Sequence, residues 1–370
     1  MIDNTGKQAS ILIVDDDPTN LRFLQEVLKN EYKVYAAPSG ERALAFLEKA
    51  LPNIILLDIE MPHMNGYEVI KRIKEDSKLK TIPILFLTAQ EGREKEQEAF
   101  DLGAVDYILK PITPGIVLSR VGLHVELESY KKDLEYKIDV RTSQLKLMQD
   151  AILDMLAGVT AYRDNETGGH IKRTTAYSEA IVKTLMEKEY PGYVIQPAYG
   201  SSIVKTAKLH DIGKVAVPDG ILLKPGKLTP EEFDQIKLHT NYGAQMIDDA
   251  IEELGDMSDF LLVAKEIVIG HHEKWNGTGY PYGLSGTQIP LSARIMAIAD
   301  VYDALISKRT YKDSFTHDFA TSIIFKDAGT HFDPVLVDLC KDTLLDFKDI
   351  AERFKDDEGE IKKEQDGKLI

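Results

Sequence analysis

The stretch LLDIEMPHMNG, residues 56–66, decides the fold of the first third of the chain. Its leading leucines complete a short apolar run over residues 54–57, and the acid Asp58 follows directly. Four similar runs lie at residues 11–14, 32–36, 84–87 and 107–109, with amphipathic stretches between them. This alternation of strand and helix predicts an α/β doubly wound domain over residues 9–125, with a parallel five-stranded sheet covered on both faces.

Polar side chains stand at the ends of the predicted strands. Three are carboxylates, Asp15, Asp16 and Asp58, while Thr88 ends the fourth strand and Lys110 the fifth. Because the carboxyl ends of parallel strands meet at one edge of a sheet, these side chains are expected to lie together. Clustered acids repel one another unless a hard cation such as Mg²⁺ lies among them. The alternative, that each acid is merely solvated, does not explain why all five occupy suitable strand ends.

These residues closely resemble the receiver domain of response regulators, and the resemblance covers about residues 9–125. It implies a sensor histidine kinase as partner. The implied roles are phosphoacceptor for Asp58, Mg²⁺ ligands for Asp15, Asp16 and Asp58, phosphate sensing for Thr88 and Lys110, and aromatic switching for Tyr107.

Residues 126–159 are predicted to form a linker helix, because no proline or glycine interrupts them before Gly158. Lys131 and Arg141 are polar interruptions in an otherwise apolar heptad series. That series is Leu127, Leu134, Ile138, Leu145, Met148, Ile152, Met155 and Val159. The spacing favours a parallel coiled coil, and therefore a homodimer. The alternative is a long amphipathic helix packed on its own domain.

The remaining chain carries helical patterns. Residues 160–350 are predicted to be all helix with loops, since strand alternation is absent. A helix start is clear at Thr229, which is followed by Pro230 and then by Glu232. Residues 355–370 are mostly charged and are predicted to be a frayed tail. The prediction is therefore a multidomain chain in which the α/β domain is joined by a long helix to an all-α domain.

Composition restricts the function. The formal net charge is −16, and so acidic a surface disfavours DNA binding. No apolar run approaches the ~20 residues of a membrane span, so membrane insertion is not expected. The single cysteine, Cys340, excludes an intrachain disulfide and fits a reducing cytoplasm. A phosphate-bearing substrate would need local cations, either basic side chains or bound metal.

A cluster of histidines and acids marks the second half of the chain. A lone histidine on a helix is usually structural, but here acids accompany the histidines in KLHDIGK, IGHHEKWNGTGYP and IMAIADVYDAL. The cluster comprises Glu166, His170, His210, Asp211, His239, His271, His272 and Asp300. Imidazole with carboxylate favours transition metals over Ca²⁺, and so many ligands imply two or three ions. Metals about 3.5–4 Å apart suit phosphodiester hydrolysis, with Lys214 available for a phosphate oxygen.

The His-Asp pair, the stretch HHExxxGxGYP and the later GTHFDP resemble the HD-GYP subfamily of the HD phosphohydrolases, over about residues 150–345. The resemblance implies that the eight clustered residues are metal ligands, that His210, Asp211 and Lys214 are catalytic, and that Glu166 leaves a third metal site open. It implies substrate contacts from Lys214, Gly279, Tyr280, Pro281, Asp303, Arg309 and Lys312. Family substrates are cyclic di-GMP, hydrolysed to pGpG or GMP, and in some members cyclic GMP–AMP.

The two resemblances together predict a two-component response regulator with a metal-dependent cyclic dinucleotide phosphodiesterase as its output. Phosphorylation of Asp58 is expected to rearrange the face around Tyr107 and the packing of the linker helix, which leads directly to Glu166 and His170. Iron or manganese is expected, with nickel as a further option, and diguanylate cyclases or other signalling proteins are candidate partners. Two alternatives stay open: the main substrate is pGpG or cyclic GMP–AMP, or the second half is a non-catalytic signalling module.

Overall fold

The computed structural model describes residues 8–89, 93–164, 168–255, 259–307 and 315–355. The chain divides into two compact units, Met1–Gln144 and Leu145–Ile370. This division falls inside the predicted linker at residues 126–159. Of the predicted charged tail, all but Lys355 lies outside the described residues.

The first unit is an α/β sheet domain. Its strands are β1 (Ser10–Val14), β2 (Lys33–Ala37), β3 (Ile54–Asp58), β4 (Ile84–Thr88) and β5 (Asp106–Leu109). Its helices between strands are α1 (Pro18–Leu28), α2 (Gly40–Leu47), α3 (Gly66–Glu75) and α4 (Arg93–Asp101). The strands are all parallel, in the order β2-β1-β3-β4-β5. The predicted five-stranded parallel sheet is confirmed.

The sheet buries apolar side chains on both faces, which explains why its strands read as continuous apolar runs. On one face Leu57 packs in a cluster with Val69 of α3. On the other face Leu56 packs in a cluster with Leu24 of α1. Strand β2 begins at Lys33, one residue later than the predicted apolar run. Tyr32 precedes the strand, and its side chain belongs to this second cluster.

One helix of 50 residues, α5 (Pro114–Arg163), follows β5. It begins earlier than the predicted linker helix, which was placed at residues 126–159. Val117, Val121 and Val125 belong to the apolar cluster of the first unit. The last helix of the α/β domain and the linker are therefore one element.

The second unit is all-α, as predicted. Its helices are α6 (Gly168–Lys188), α7 (Pro197–Thr206), α8 (Asp219–Leu222), α9 (Pro230–Lys237), α10 (His239–Leu254), α11 (Asp259–Gly270), α12 (Leu291–Ile306), α13 (His317–Lys326), α14 (Pro334–Leu339) and α15 (Lys341–Arg353). The predicted start of α9 is confirmed, since Thr229 and Glu232 form a reciprocal capping box. Among the described residues, no helix combines the length and the apolar character that crossing a membrane requires.

The core of the second unit centres on aromatic side chains of α6, α12 and α15. The rings of Tyr177 and Phe347 stack with centroids 4.4 Å apart, and the Tyr302 ring meets both edge-on. All three side chains are fully buried. This packing fixes α6 against α12, and these two helices carry His170 and Asp300 respectively.

Candidate metal centre and receiver site

The ends of β1 and β3 bring three acids together in the first unit. Carboxylate oxygens of Asp15, Asp16 and Asp58 lie within 4.8 Å of one another. Lys110, directly after β5, places its Nζ 2.8 Å from Asp58 Oδ2 and 3.1 Å from Asp15 Oδ2. Thr88 ends β4, which lies between β3 and β5 in the sheet. The cluster offers oxygen ligands of the kind that Mg²⁺ takes.

Burial makes the Asp58 carboxylate unusual. Burial raises its pKa, and the hydrogen bond and charge of Lys110 offset only part of that shift. Burial alone would lower the pKa of Lys110, but the contact with Asp58 and the charge of Asp15 raise it. The lysine therefore stays charged beside the acids, where it can pair with an added phosphoryl group.

Tyr107 lies in β5, and its ring contacts two other side chains. Its ring meets Phe100 of α4 edge-on, with centroids 6.1 Å apart. The guanidinium of Arg120 lies over the same ring at 5.7 Å and also pairs with Asp106. Tyr107 therefore joins α4 and α5 through its ring contacts.

The second unit brings together two adjoining groups of metal-type ligands. Atoms within each group lie within 4.8 Å of one another. One group is His170, His210 and Asp300, and the other is Asp211, His239, His271 and His272. The seven residues come from five separate stretches of chain, so tertiary packing alone assembles them.

Asp211 lies between the two groups. Its Oδ2 is 3.2 Å from His210 Nε2. Its Oδ1 is 3.2 Å from His239 Nε2 and 3.7 Å from His271 Nε2. Each oxygen of the Asp211 carboxylate therefore faces a different ligand group, as expected of a residue that could bridge two ions.

The other ring nitrogens of four histidines are held by fixed oxygen atoms. Nδ1 of His210 lies 2.9 Å from the Ala207 carbonyl oxygen, and Nδ1 of His239 lies 2.7 Å from that of Ile236. Nδ1 of His271 lies 3.0 Å from the carbonyl oxygen of Ile267. Nδ1 of His170 lies 2.8 Å from Asp303 Oδ2. Donation from Nδ1 leaves each Nε2 lone pair facing the centre, as in histidines that ligate metals.

Three atoms of the centre are buried without a hydrogen-bond partner among the described residues: Asp211 Oδ1, His239 Nε2 and His271 Nε2. Leaving such atoms unpaired costs free energy, and a bound cation would satisfy all three at once. Burial lowers the pKa of His271 and, more strongly, that of His272, so both imidazoles are neutral at pH 7. Neutral imidazole is the form that ligates metal, so these residues fit a divalent transition-metal centre.

Two glycines allow the ligand-bearing segments to approach. A Cβ on Gly213 would lie 1.8 Å from the carbonyl oxygen of His239. A Cβ on Gly243 would lie 2.6 Å from a methyl of Val268. Glycine at these positions therefore brings Asp211 close to α10, and α10 close to the end of α11, where His271 follows.

The two halves of the chain also match known families. The response regulator receiver domain matches residues 11–121, and the HD domain matches residues 169–336. A probable cyclic di-GMP phosphodiesterase of Vibrio cholerae is 44% identical over 358 residues, which cover 95% of this chain and 81% of that protein. A cyclic di-GMP phosphodiesterase response regulator of Xanthomonas campestris pv. campestris is 34% identical, over 89% of this chain and 86% of that protein. The chain belongs to the HD-domain response regulators.

A relative that is named for a different substrate is also similar to this HD-domain response regulator. A 3′3′-cGAMP-specific phosphodiesterase of Vibrio cholerae is 35% identical over 67% of the chain. The chain spans 41% of that relative's length. Similarity to this chain therefore extends to relatives named for different cyclic dinucleotides.

The loop after the paired histidines lies against the metal centre of the response regulator. The Tyr280 ring lies 4.7 Å from that of His272, centroid to centroid. A Cβ on Gly279 would lie 2.4 Å from the backbone nitrogen of Lys274, so only glycine fits there. Pro281 follows, and the Tyr280–Pro281 bond is cis, as is Lys110–Pro111. Tyr280 therefore lies beside the centre, and the substrate contacts of Gly279, Tyr280 and Pro281 stay a prediction.

Glu273 has a role that the sequence reasoning missed. Its buried carboxylate accepts hydrogen bonds from the backbone nitrogens of Tyr282 (2.7 Å) and Leu284 (3.0 Å). It therefore closes the loop on itself. An acid directly after two metal-type histidines was the available signal, although its side chain binds the loop backbone.

The predicted substrate contact at Asp303 does not hold. The Asp303 side chain is 1% exposed, and both of its oxygens are occupied. They accept from His170 Nδ1 and from Nε of Arg173, the latter at 2.6 Å. Burial would raise the pKa of Asp303, but His170 and Arg173 lower it. Asp303 orients His170 instead of touching substrate.

Three predicted site residues, Glu166, Arg309 and Lys312, lie outside the described residues. Lys214 lies at the centre: its Nζ is 2.8 Å from Asp211 Oδ2. Burial would raise the pKa of Asp211, but the charges of Lys214 and His210 hold it well below its ordinary value. The Asp211 carboxylate is therefore ionised at neutral pH.

Proposed function

We propose that this HD-domain response regulator hydrolyses cyclic di-GMP to pGpG or GMP, under control of phosphorylation at Asp58. The observation that carries the proposal is Asp211, whose two oxygens face two adjoining groups of histidines and acids. Two relatives, matched over 81% and 86% of their own length, are named as a probable cyclic di-GMP phosphodiesterase and as a cyclic di-GMP phosphodiesterase response regulator. A formal net charge of −16 makes a local cationic centre necessary for an anionic substrate.

The ligands divide between two ions. His170, His210 and Asp300 would hold one, and His239, His271 and His272 the other, with Asp211 between them. Divalent iron or manganese, or nickel, suits this mixture of imidazole and carboxylate. Bound there, the ions supply the positive charge and Lewis acidity that phosphodiester hydrolysis needs. Glu166 would add a ligand for a third ion.

The chain's own groups bind and orient the substrate. Lys214 is proposed to contact a phosphate oxygen, and the loop Gly279–Tyr280–Pro281 to form a wall of the pocket beside His272. Arg309 and Lys312 stay proposed substrate contacts. In the receiver, Asp15, Asp16 and Asp58 would hold Mg²⁺, and a sensor histidine kinase would supply the phosphoryl group.

We also propose that α5 forms a parallel homodimeric coiled coil. Each apolar residue of the heptad series from Leu127 to Val159 is exposed in the single chain. In the same stretch Leu153 is buried and packs with Leu209 and Ile247, so the helix already uses another face within its own unit. The exposed stripe therefore fits a second copy of this chain. A cytoplasmic location and contacts with other signalling proteins stay predictions.

The test is hydrolysis and metal content in one preparation. Full-length protein would be purified without oxygen, its metal per chain counted, and cyclic di-GMP, pGpG and cyclic GMP–AMP assayed separately. We expect two or three ions per chain and fastest turnover of cyclic di-GMP. Faster turnover of another nucleotide would reassign the substrate, and a metal-free inactive protein would favour a signalling module.

The matched variant is His210→Ala combined with Asp211→Ala. It should abolish hydrolysis, a loss of at least about 1,000-fold, and lower bound metal, because both ligand groups lose a member. The control is Asp338→Ala combined with Lys341→Ala, which removes an exposed ion pair of the same domain. Undiminished activity in the first variant would sink the metal assignment.

A further inference from the structure

The C-terminal end of α5 binds the backbone of the segment that carries Lys214. The Arg163 guanidinium donates to the carbonyl oxygens of Val215 and Val217, the latter at 2.9 Å. It also donates to the Asp219 carboxylate at 2.9 Å. These acceptors directly follow Lys214 in the chain. Arg163 therefore fixes the course of the segment beyond the lysine.

The next residue, Asp164, binds the lysine itself. Lys214 Nζ lies 2.5 Å from Asp164 Oδ2 and 2.8 Å from Asp211 Oδ2. The Lys214 and Asp164 side chains are 14% and 13% exposed, so solvent screens their contact weakly. Asp211 also faces the histidines of the centre, whereas Asp164 belongs to neither ligand group. Asp164 is thus an anchor for the ammonium that does not depend on the metals.

A lysine needs such an anchor to bind a substrate at a defined place. Its side chain is a flexible four-carbon stem with a single point charge, unlike the planar fork of arginine. Contacts with the Asp164 and Asp211 carboxylates hold the Lys214 ammonium at a defined position beside the centre. A misplacement of about 1 Å at a reacting centre can cost on the order of 100-fold in rate.

We propose that Asp164 is a positioning residue that holds Lys214 for the substrate phosphate, with Arg163 fixing the segment behind it. This inference rests on the proposed hydrolysis of a cyclic dinucleotide and deepens it. It also places the point at which α5 meets the site, since Arg163 is the last residue of that helix.

The first experiment is a double-mutant cycle in the full-length, metal-loaded protein. Asp164→Asn should lower kcat/KM for cyclic di-GMP by about 10-fold or more, while metal per chain stays unchanged. In the Lys214→Ala background the same substitution should change kcat/KM by less than about twofold, because its target is gone. An equal loss in both backgrounds, no loss in the first, or loss of bound metal would overturn the proposal.

The matched control is Asp154→Asn. Asp154 is another acid of α5, and it pairs with Lys208, whose side chain is also 14% exposed. Its substitution should leave kcat/KM and metal content within about twofold of the wild type.

A second readout does not need activity. The rate at which each lysine is acetylated in the native protein would be followed by mass spectrometry. Asp164→Asn should speed acetylation of Lys214 but not of Lys208, and Asp154→Asn should do the reverse. An unchanged rate at Lys214 would refute the contact. A wild type that cleaves none of the three nucleotides would instead end the proposed function, while the acetylation rates still decide the Asp164–Lys214 pair.

Discussion

At the scale of single residues, burial governs Asp58. Its carboxylate is almost fully buried between Asp15 and Lys110. Asp58→Asn should abolish phosphorylation by acetyl phosphate, since the amide is not a nucleophile for the phosphoryl group. Intact-protein mass spectrometry would follow the added phosphate. The control is Asp101→Asn, an exposed acid of α4, and phosphorylation of the Asp58 variant would place the acceptor elsewhere.

The same substitution should change stability in a pH-dependent way. Because burial raises the pKa of Asp58 above its ordinary value of 3.8, ionising it in the folded state costs free energy. That cost is absent below the unfolded pKa and complete above the folded pKa. Without Mg²⁺, Asp58→Asn should therefore raise the Tm of the receiver by a few degrees at pH 7.5 and by less near pH 4. A gain independent of pH would contradict this account.

His331 should make the second unit sensitive to acid. Burial lowers its pKa from 6.5 to about 4, helped by the charge of Lys274, while its ring stacks on Phe332. The unfolded chain takes up the proton first, so stability present above pH 6.5 is lost as pH falls towards 4, by up to about 3 kcal/mol. His331→Gln should reduce this fall in the free energy of unfolding, measured by urea titrations between pH 4 and 7. A loss of stability as large as that of the wild type would exclude His331 as the cause.

At the scale of elements, α5 carries the apolar stripe. Ile138 and Leu145 are 54% and 65% exposed and occupy equivalent positions of the heptad. Changing both to aspartate should dissociate the dimer, raising its dissociation constant by about 100-fold or more, because four charges would enter one seam. Sedimentation equilibrium of the full chain would measure this.

The control for the stripe is Leu147→Asp. Leu147 is 71% exposed but lies on the other side of the helix, outside the heptad series. It removes a similar exposed apolar group, so the dimer should be unaffected. Equal dissociation by both changes, or a wild type that is monomeric at all concentrations, would leave α5 as an amphipathic helix without a partner copy.

At the scale of the whole molecule, metal should stabilise the second unit separately from the first. Three buried atoms, Asp211 Oδ1, His239 Nε2 and His271 Nε2, have no hydrogen-bond partner among the described residues. Removing the ions with a chelator should lower the stability of this unit by about 3 kcal/mol or more, the effect of a ligand at 100 times its Kd. Calorimetry would show the shift, and Mn²⁺ should reverse it.

The variant that lacks His210 and Asp211 is the control for this measurement. Its thermal unfolding should respond little to the chelator or to Mn²⁺, because both ligand groups are incomplete. The receiver transition should respond to Mg²⁺ through Asp15, Asp16 and Asp58 in both proteins. A shift as large in the variant as in the wild type would show that the ion binds elsewhere.

The sequence alone determined the sheet and the ligand types. Strands buried on both faces must be continuously apolar, so runs such as residues 54–57 predict them directly. The first residue of helix α5 was harder to predict. Its first apolar residues pack in the core of the first unit, whereas the later ones form the exposed heptad stripe. Period alone does not distinguish those uses, and Pro114 was the signal that a helix begins there.

Tertiary structure decided what each polar residue does. His170 and Asp303 are 133 residues apart in sequence yet lie 2.8 Å apart in space, and that contact makes Asp303 an orienting group instead of a substrate contact. Asp164 and Glu273 resemble any other acids until the packed segments place Lys214 or two backbone amides against them. Residue type and spacing fix which chemistry a chain can perform. The partner of each polar atom depends on which helices pack together, and no local pattern encodes that.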